Sequence, residues 1–267
     1  MLKLMKKLEI YCSLILILFI YNSCGVSGPQ INLYGPAMYS NDVSYQPKPM
    51  SSDSNDHAGY VSLSYLSAEA PNDNNSFDMI TGELINIGQG YTFDNFNLSY
   101  GAFGGIGSYS NQTNKDATQP AYFNNKSFGN LGGRFSANAF VNSGHVDIRF
   151  MGIEMAYSHE FGDYADFRKS IRGQPNFFTD SRSDIVTIGG SSEVIWHGSR
   201  KQRQYGFRLF LGRTIGDNAY RNPAAPSQLY YPVTNTVSFA YFMQVKKVFF
   251  VAEFHTDGVE YKAGLRF

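Results

Sequence analysis

Thr236-Val237-Ser238-Phe239-Ala240-Tyr241-Phe242-Met243-Gln244-Val245-Lys246 sets Val237, Phe239, Tyr241, Met243 and Val245 on one face of an extended chain. The other face carries Thr236, Ser238, Ala240, Gln244 and Lys246, with Phe242 the single intruder. Apolar residues at every second position mark a strand with two unlike faces, because successive strand side chains point to opposite sides. The last residues repeat the pattern: Val259, Tyr261, Ala263, Leu265 and Phe267 alternate with Glu260, Lys262, Gly264 and Arg266. Further out, the same period runs through Val61-Leu63-Tyr65, Phe96-Leu98-Tyr100-Ala102, Phe135-Ala137-Ala139-Val141 and Tyr205-Phe207-Leu209-Leu211. After Gly144 the phase slips, from Val146, Ile148 and Phe150 to Ile153, Met155 and Tyr157. A bulge near Met151-Gly152 would restore the facing. The less regular stretches 79–88, 184–196 and 248–255 are also read as strands, and no long segment carries an amphipathic helical stripe.

The fold class is therefore all-β, with about ten strands near 60–66, 79–90, 95–108, 128–141, 145–160, 184–197, 204–214, 235–246, 248–256 and 259–267. Eight or twelve strands are the alternatives left open by the irregular segments 79–90 and 248–256. Connections alternate between short (91–94, 142–144, 198–203, 246–247) and long (67–78, 109–127, 161–183, 215–235). Only Asp257-Gly258 is short where a long one is due. This alternation predicts an antiparallel up-and-down transmembrane β-barrel, with tight turns on one side of a bilayer and long loops on the other. A soluble lipocalin-like barrel shows the same period with the apolar face inward. Lipid is favoured by the two loop populations and by Tyr and Phe near segment ends, where aromatic rings suit the headgroup boundary. Ten strands put the ends of the barrel on one side, here the periplasmic one, with the long loops extracellular.

Composition narrows the partners. The 22 Lys+Arg balance the 22 Asp+Glu, and without a basic excess no nucleic-acid partner is expected. If the apolar faces meet lipid, the inward faces carry Asp147, Arg149, Glu154, Glu193, Arg208, Lys246, Glu253, Glu260, Lys262 and Arg266. Both signs in a narrow bore favour pairing and a filled interior over an open water channel.

Upstream of the strands, Lys3, Lys6 and Lys7 precede a short apolar core from Ile10 to Tyr21, as in a secretory signal. Ser23-Cys24-Gly25 resembles a bacterial lipobox, in which the Cys becomes an acylated first residue; the alternative is an ordinary cleaved signal with an incidental Cys. Residues 1–23 then form the signal peptide, 24–57 a lipidated tether rich in Pro, Ser, Asn and Asp, and 58–267 the barrel. The final strand, with Tyr261, Leu265 and the closing Phe267, resembles the signal read by the outer-membrane assembly machinery. In composition, strand pattern and ending, the chain resembles small outer-membrane β-barrel proteins of Bacteroidota. That resemblance implies an outer-membrane location, lipid as the surrounding partner and contact with the assembly machinery during biogenesis. Because the first strand is expected to start at the periplasmic side, the acyl group is expected in the inner leaflet, and the lack of an acidic run after Cys24 agrees with that side.

No motif for enzyme chemistry stands out: there is no phosphate-cradling loop, no H-E-x-x-H, no G-x-S-x-G and no cysteine pair for zinc, so no cofactor or metal is expected. His255 with Asp257 could orient an imidazole as a general base. Against this stands a polar rim at a turn, with no nucleophile in view. Ser158 and His159 are adjacent, so a strand points them to opposite faces. His57, His145 and His197 read as linker or turn residues. No catalytic residue is assigned. Three functions follow: a non-enzymatic accessory subunit of a larger outer-membrane assembly for secretion, insertion or uptake; a stand-alone narrow porin; and an outer-membrane hydrolase using His255.

Overall fold

A computed structural model describes residues 32–49, 56–71, 77–111, 123–174, 177–197, 203–215, 220–222, 225–230 and 235–267. The signal segment 1–23 and Cys24 lie outside the described residues. In chain order the strands are β1 (Asn32–Tyr34), β2 (His57–Pro71), β3 (Phe77–Thr92), β4 (Phe96–Ser110), β5 (Asn125–Asn142), β6 (Val146–Phe161) and β7 (Phe177–Thr179). They continue as β8 (Asp184–His197), β9 (Arg203–Ile215), β10 (Tyr220–Asn222), β11 (Ala225–Tyr230), β12 (Asn235–Val245), β13 (Val248–His255) and β14 (Gly258–Arg266). One helix, α1 (Asp163–Ser170), follows β6. Too short to show a stripe in the sequence, it falls in what reads as the third long loop.

Ten strands close into one barrel in the order β12-β13-β14-β2-β3-β4-β5-β6-β8-β9, with β9 pairing back to β12. Every adjacent pair is antiparallel. The seam joins the last strand to the first barrel strand, from Gly258 opposite Ala68 to Arg266 opposite Tyr60. It extends one residue further, where Phe267 N–H donates to Gly59 O at 3.0 Å and Gly59 N–H to Phe267 O at 2.9 Å. Closure pairs the backbone groups of every strand, which is what a sheet in hydrocarbon requires.

The facing matches the alternation. Leu63, Ile106 and Leu131 are 66%, 71% and 59% exposed on the outer wall, while Ser62, Ser64, Arg208 and Glu253 turn inward and are buried. An apolar belt outside a closed sheet is the surface that a bilayer core solvates. In β6 the register shifts between Arg149 and Gly152, so Phe150 and Met151 both face out. The bulge thus sits one residue before the expected place. A Cβ on Gly152 would stand 2.1 Å from Asn138 Oδ1 and 2.6 Å from Ser191 Oγ, so a larger residue there has to displace both side chains.

Several strands outrun their expected ends. β2 and β3 reach Pro71 and Phe77, so the first long loop shrinks to 72–76, and His57 opens β2 rather than ending a linker. The larger departure concerns the tether. Residues 34–49 are packed inside the barrel, with Tyr34, Ala37, Met38, Asp42, Val43, Tyr45 and Lys48 all 3% exposed or less. A polar segment without periodicity reads as solvated chain, yet a polar bore lined with charges is also a solvent for it.

Candidate functional site

The occupied bore is the place where chemistry-bearing side chains converge. The segment enters beside the long loops: β1 pairs in parallel with β7, and Tyr34 packs edge-on against Phe167 of α1 at 5.4 Å. Tyr109 and Tyr164 stack at 4.1 Å beneath it, closing that end with aromatic rings. Ala37 N–H donates to Glu160 Oε2 at 2.6 Å, and the other oxygen of Glu160 accepts from Arg168 of α1.

Halfway down, the wall holds the segment by its backbone. Arg134 Nε donates to Asp42 O at 2.6 Å, Lys262 Nζ to Tyr45 O at 3.0 Å, and Tyr45 N–H to Glu253 Oε2 at 2.8 Å. Arg208 forks between Glu154 (Nε to Oε1, 3.0 Å) and Glu253 (Nη1 to Oε1, 2.7 Å), pairing three charges taken out of water. Lower still, Glu193 clamps Lys48 at 2.8 Å and Arg149 at 2.5 Å. The segment leaves at the short-turn end, where Pro49 O accepts from Thr92 Oγ1 at 2.6 Å and from Arg149 Nη2 at 3.3 Å. Gly90 makes room for it, since a Cβ would lie 2.9 Å from Pro49 Cδ and 3.2 Å from Lys48 Cα.

Of the expected interior charges, Asp147, Arg149, Glu154, Glu193, Arg208, Glu253, Glu260 and Lys262 do face inward and are buried. Lys246 does not. It sits exposed in the Lys246-Lys247 turn with φ 57°, beyond the last strand pair, Val245 with Val248. Arg266 is half-buried near the seam rather than in the middle of the bore. Tyr261, Leu265 and Phe267 all face outward, 53%, 52% and 70% exposed.

The histidines separate. His255 points into the bore with its side chain 1% exposed, and its nearest acidic partner is Glu260 at 3.9 Å rather than Asp257. Asp257 stays in the β13–β14 turn, where partial burial and then the Glu69 carboxylate push its carboxyl up. Ser158 is buried inside, while His159 lies outside against Asp184 at 2.9 Å, so the two cannot act together. His57 stacks on Tyr91, and His145 meets His197 edge-on at 5.9 Å near the β5–β6 turn. Sequence reasoning missed Tyr45, Asp42, Ser44 and Lys48 as bore residues. Phe242 was the available signal, an inward ring that lies flat on Tyr45 at 4.5 Å.

No protein-family model matches the chain, and no curated protein matches it by sequence. Among solved structures, the translocator domain of the autotransporter NalP from Neisseria meningitidis is similar at 7% identity and TM-score 0.40, over 81% of this chain and 90% of that one. An outer membrane channel from Pseudomonas putida F1 gives 9% identity and TM-score 0.41, over 83% and 100%. The β domain of a Bordetella autotransporter gives 10% and 0.40, over 79% and 99%. Likenesses this distant assign no activity; the barrel stands on its own strand pairing.

Proposed function

We propose that the protein is a closed outer-membrane β-barrel lipoprotein, non-enzymatic, that serves as an accessory subunit of a larger outer-membrane assembly. The observation that carries this reading is the occupied bore. With residues 34–49 bonded to the wall from the aromatic end to Pro49, the outer wall and the loops are the surfaces left to act. On that wall, Leu63, Ile85, Ile106, Leu131, Phe250 and Tyr261 line one apolar concavity, with Gly104 and Gly105 in its floor. Such a recess on a membrane face suits a partner's hydrophobic ridge.

The same reading places the long loops outside the cell and Phe267 in the periplasm, with Tyr261, Leu265 and Phe267 as the assembly signal. It changes the expected side of the lipid. Asn32, the first described residue, lies at the long-loop end, where β1 pairs with β7. Seven residues separate Cys24 from Asn32, a reach of about 27 Å over eight extended Cα–Cα steps. An acyl group on Cys24 then meets the outer leaflet rather than the inner.

Isolation of the native protein in mild detergent tests the subunit role. A large partner at fixed stoichiometry, depleted by Ile106→Ala with Leu131→Ala, is the expected result; a lone monodisperse barrel contradicts it. A gated pore is the second reading, favoured by one observation. Inside the bore residues 35–49 pair with no strand and are held by side chains of the wall, so withdrawing the segment breaks no strand pairing of the barrel.

A further inference from the structure

The β13–β14 hairpin turns at Thr256-Asp257, and its register sets Glu253 directly opposite Glu260. His255, two residues beyond Glu253, shares the inward face. One ligand atom from each of these three residues lies within 4.8 Å of the others. The His255 and Glu260 side chains are 1% and 2% exposed. Neither Nδ1 nor Nε2 of His255 has a hydrogen-bond partner among the described residues, and neither has Glu260 Oε1. A neutral imidazole carries one N–H and one lone pair, and leaving both unmatched in a buried site is unfavourable. An occupant that accepts the ring's lone pair removes the part of the cost that falls on that nitrogen.

We propose that Glu253, His255 and Glu260 bind one divalent transition-metal ion of the zinc class inside the bore. The donor set is one borderline imidazole nitrogen and two hard carboxylate oxygens, a mixture that zinc accepts and that leaves one coordination position for water. Glu253 keeps a free lone pair, because Oε2 accepts only Tyr45 N–H while Oε1 serves Arg208 and Ser238. Lys262 is the competing cation. Its Nζ stands 3.6 Å from Glu260 Oε1 but donates to Ser44 Oγ and Tyr45 O, so it stays with the inserted segment when the ion takes Glu260. The ion thereby staples the wall at the very carboxylate that holds Tyr45, and its binding tightens the closed bore.

The test uses the full, tag-free chain in detergent, stripped with chelator, with separate portions titrated with zinc and with cobalt. One equivalent of zinc is expected to bind, and cobalt to give the visible bands of a four-coordinate nitrogen and oxygen site. His255→Asn and Glu260→Gln are expected to weaken binding by at least about tenfold. Heat-dependent gel mobility reports whether each variant retains its barrel. If a variant fails to fold, the wild-type cobalt spectrum alone decides. Absence of saturable zinc binding, a cobalt spectrum of purely hydrated ion, or equal binding by folded wild type and variants would overturn the site.

Discussion

Phe242 breaks the alternation of its strand because it has a partner inside the bore. Its ring lies 14° from coplanar with Tyr45, and Tyr60 and Phe249 complete the cluster around them. Glu193 does the same work with charge, holding Lys48 of the segment and Arg149 of the wall, each side chain 1% exposed or less. Removing its charge leaves two buried cations short of a counter-ion, a loss of about 3–5 kcal/mol when one partner of a buried pair goes. Glu193→Gln is therefore expected to lower the denaturant midpoint of the folded barrel and to speed proteolysis within residues 34–49. An unchanged midpoint and an unchanged cleavage pattern would mean that the cluster does not hold the segment.

At the scale of elements, strands and insert obey different rules. The ten barrel strands were legible because each has one face in lipid and one in a polar interior, and that contrast writes a period of two into the residues. The slip in β6 was legible for the same reason, since Phe150 and Met151 must both reach lipid. Residues 34–49 have no such contrast: every side is enclosed, and the wall grips carbonyls and amides of Ala37, Asp42, Tyr45 and Pro49 rather than a repeating side-chain type. Helix α1 and the hairpin β10–β11 were hidden by shortness. His255 was misplaced on the rim, because its position relative to the turn was read without the inward facing it shares with Glu253. Space for the insert is also an element property, supplied where β3 carries Gly90. Gly90→Leu is expected to push Lys48 and Pro49 off the wall while leaving the outer face intact. A barrel of wild-type heat stability with its short-turn end newly open to protease would show this, whereas full protection would place the segment elsewhere.

At the scale of the whole molecule, the barrel encloses part of its own chain, running from the long-loop end at Asn32 to the short-turn end at Pro49. That path fixes a topology which can be read from outside. With a membrane-impermeant maleimide on intact cells, Asp166→Cys, exposed on α1 at the long-loop end, is expected to label and Asp94→Cys, in the β3–β4 turn, to stay dark; the reverse would invert the orientation. Closure of the bore is the claim from which the functional reading descends, and single-channel recording in planar bilayers measures it directly. The full chain should give no stable unitary conductance, and a chain lacking residues 34–49 should give steady steps of uniform size. Steady steps from the full chain, equal to those of the deletion, would show an open pore and contradict the account.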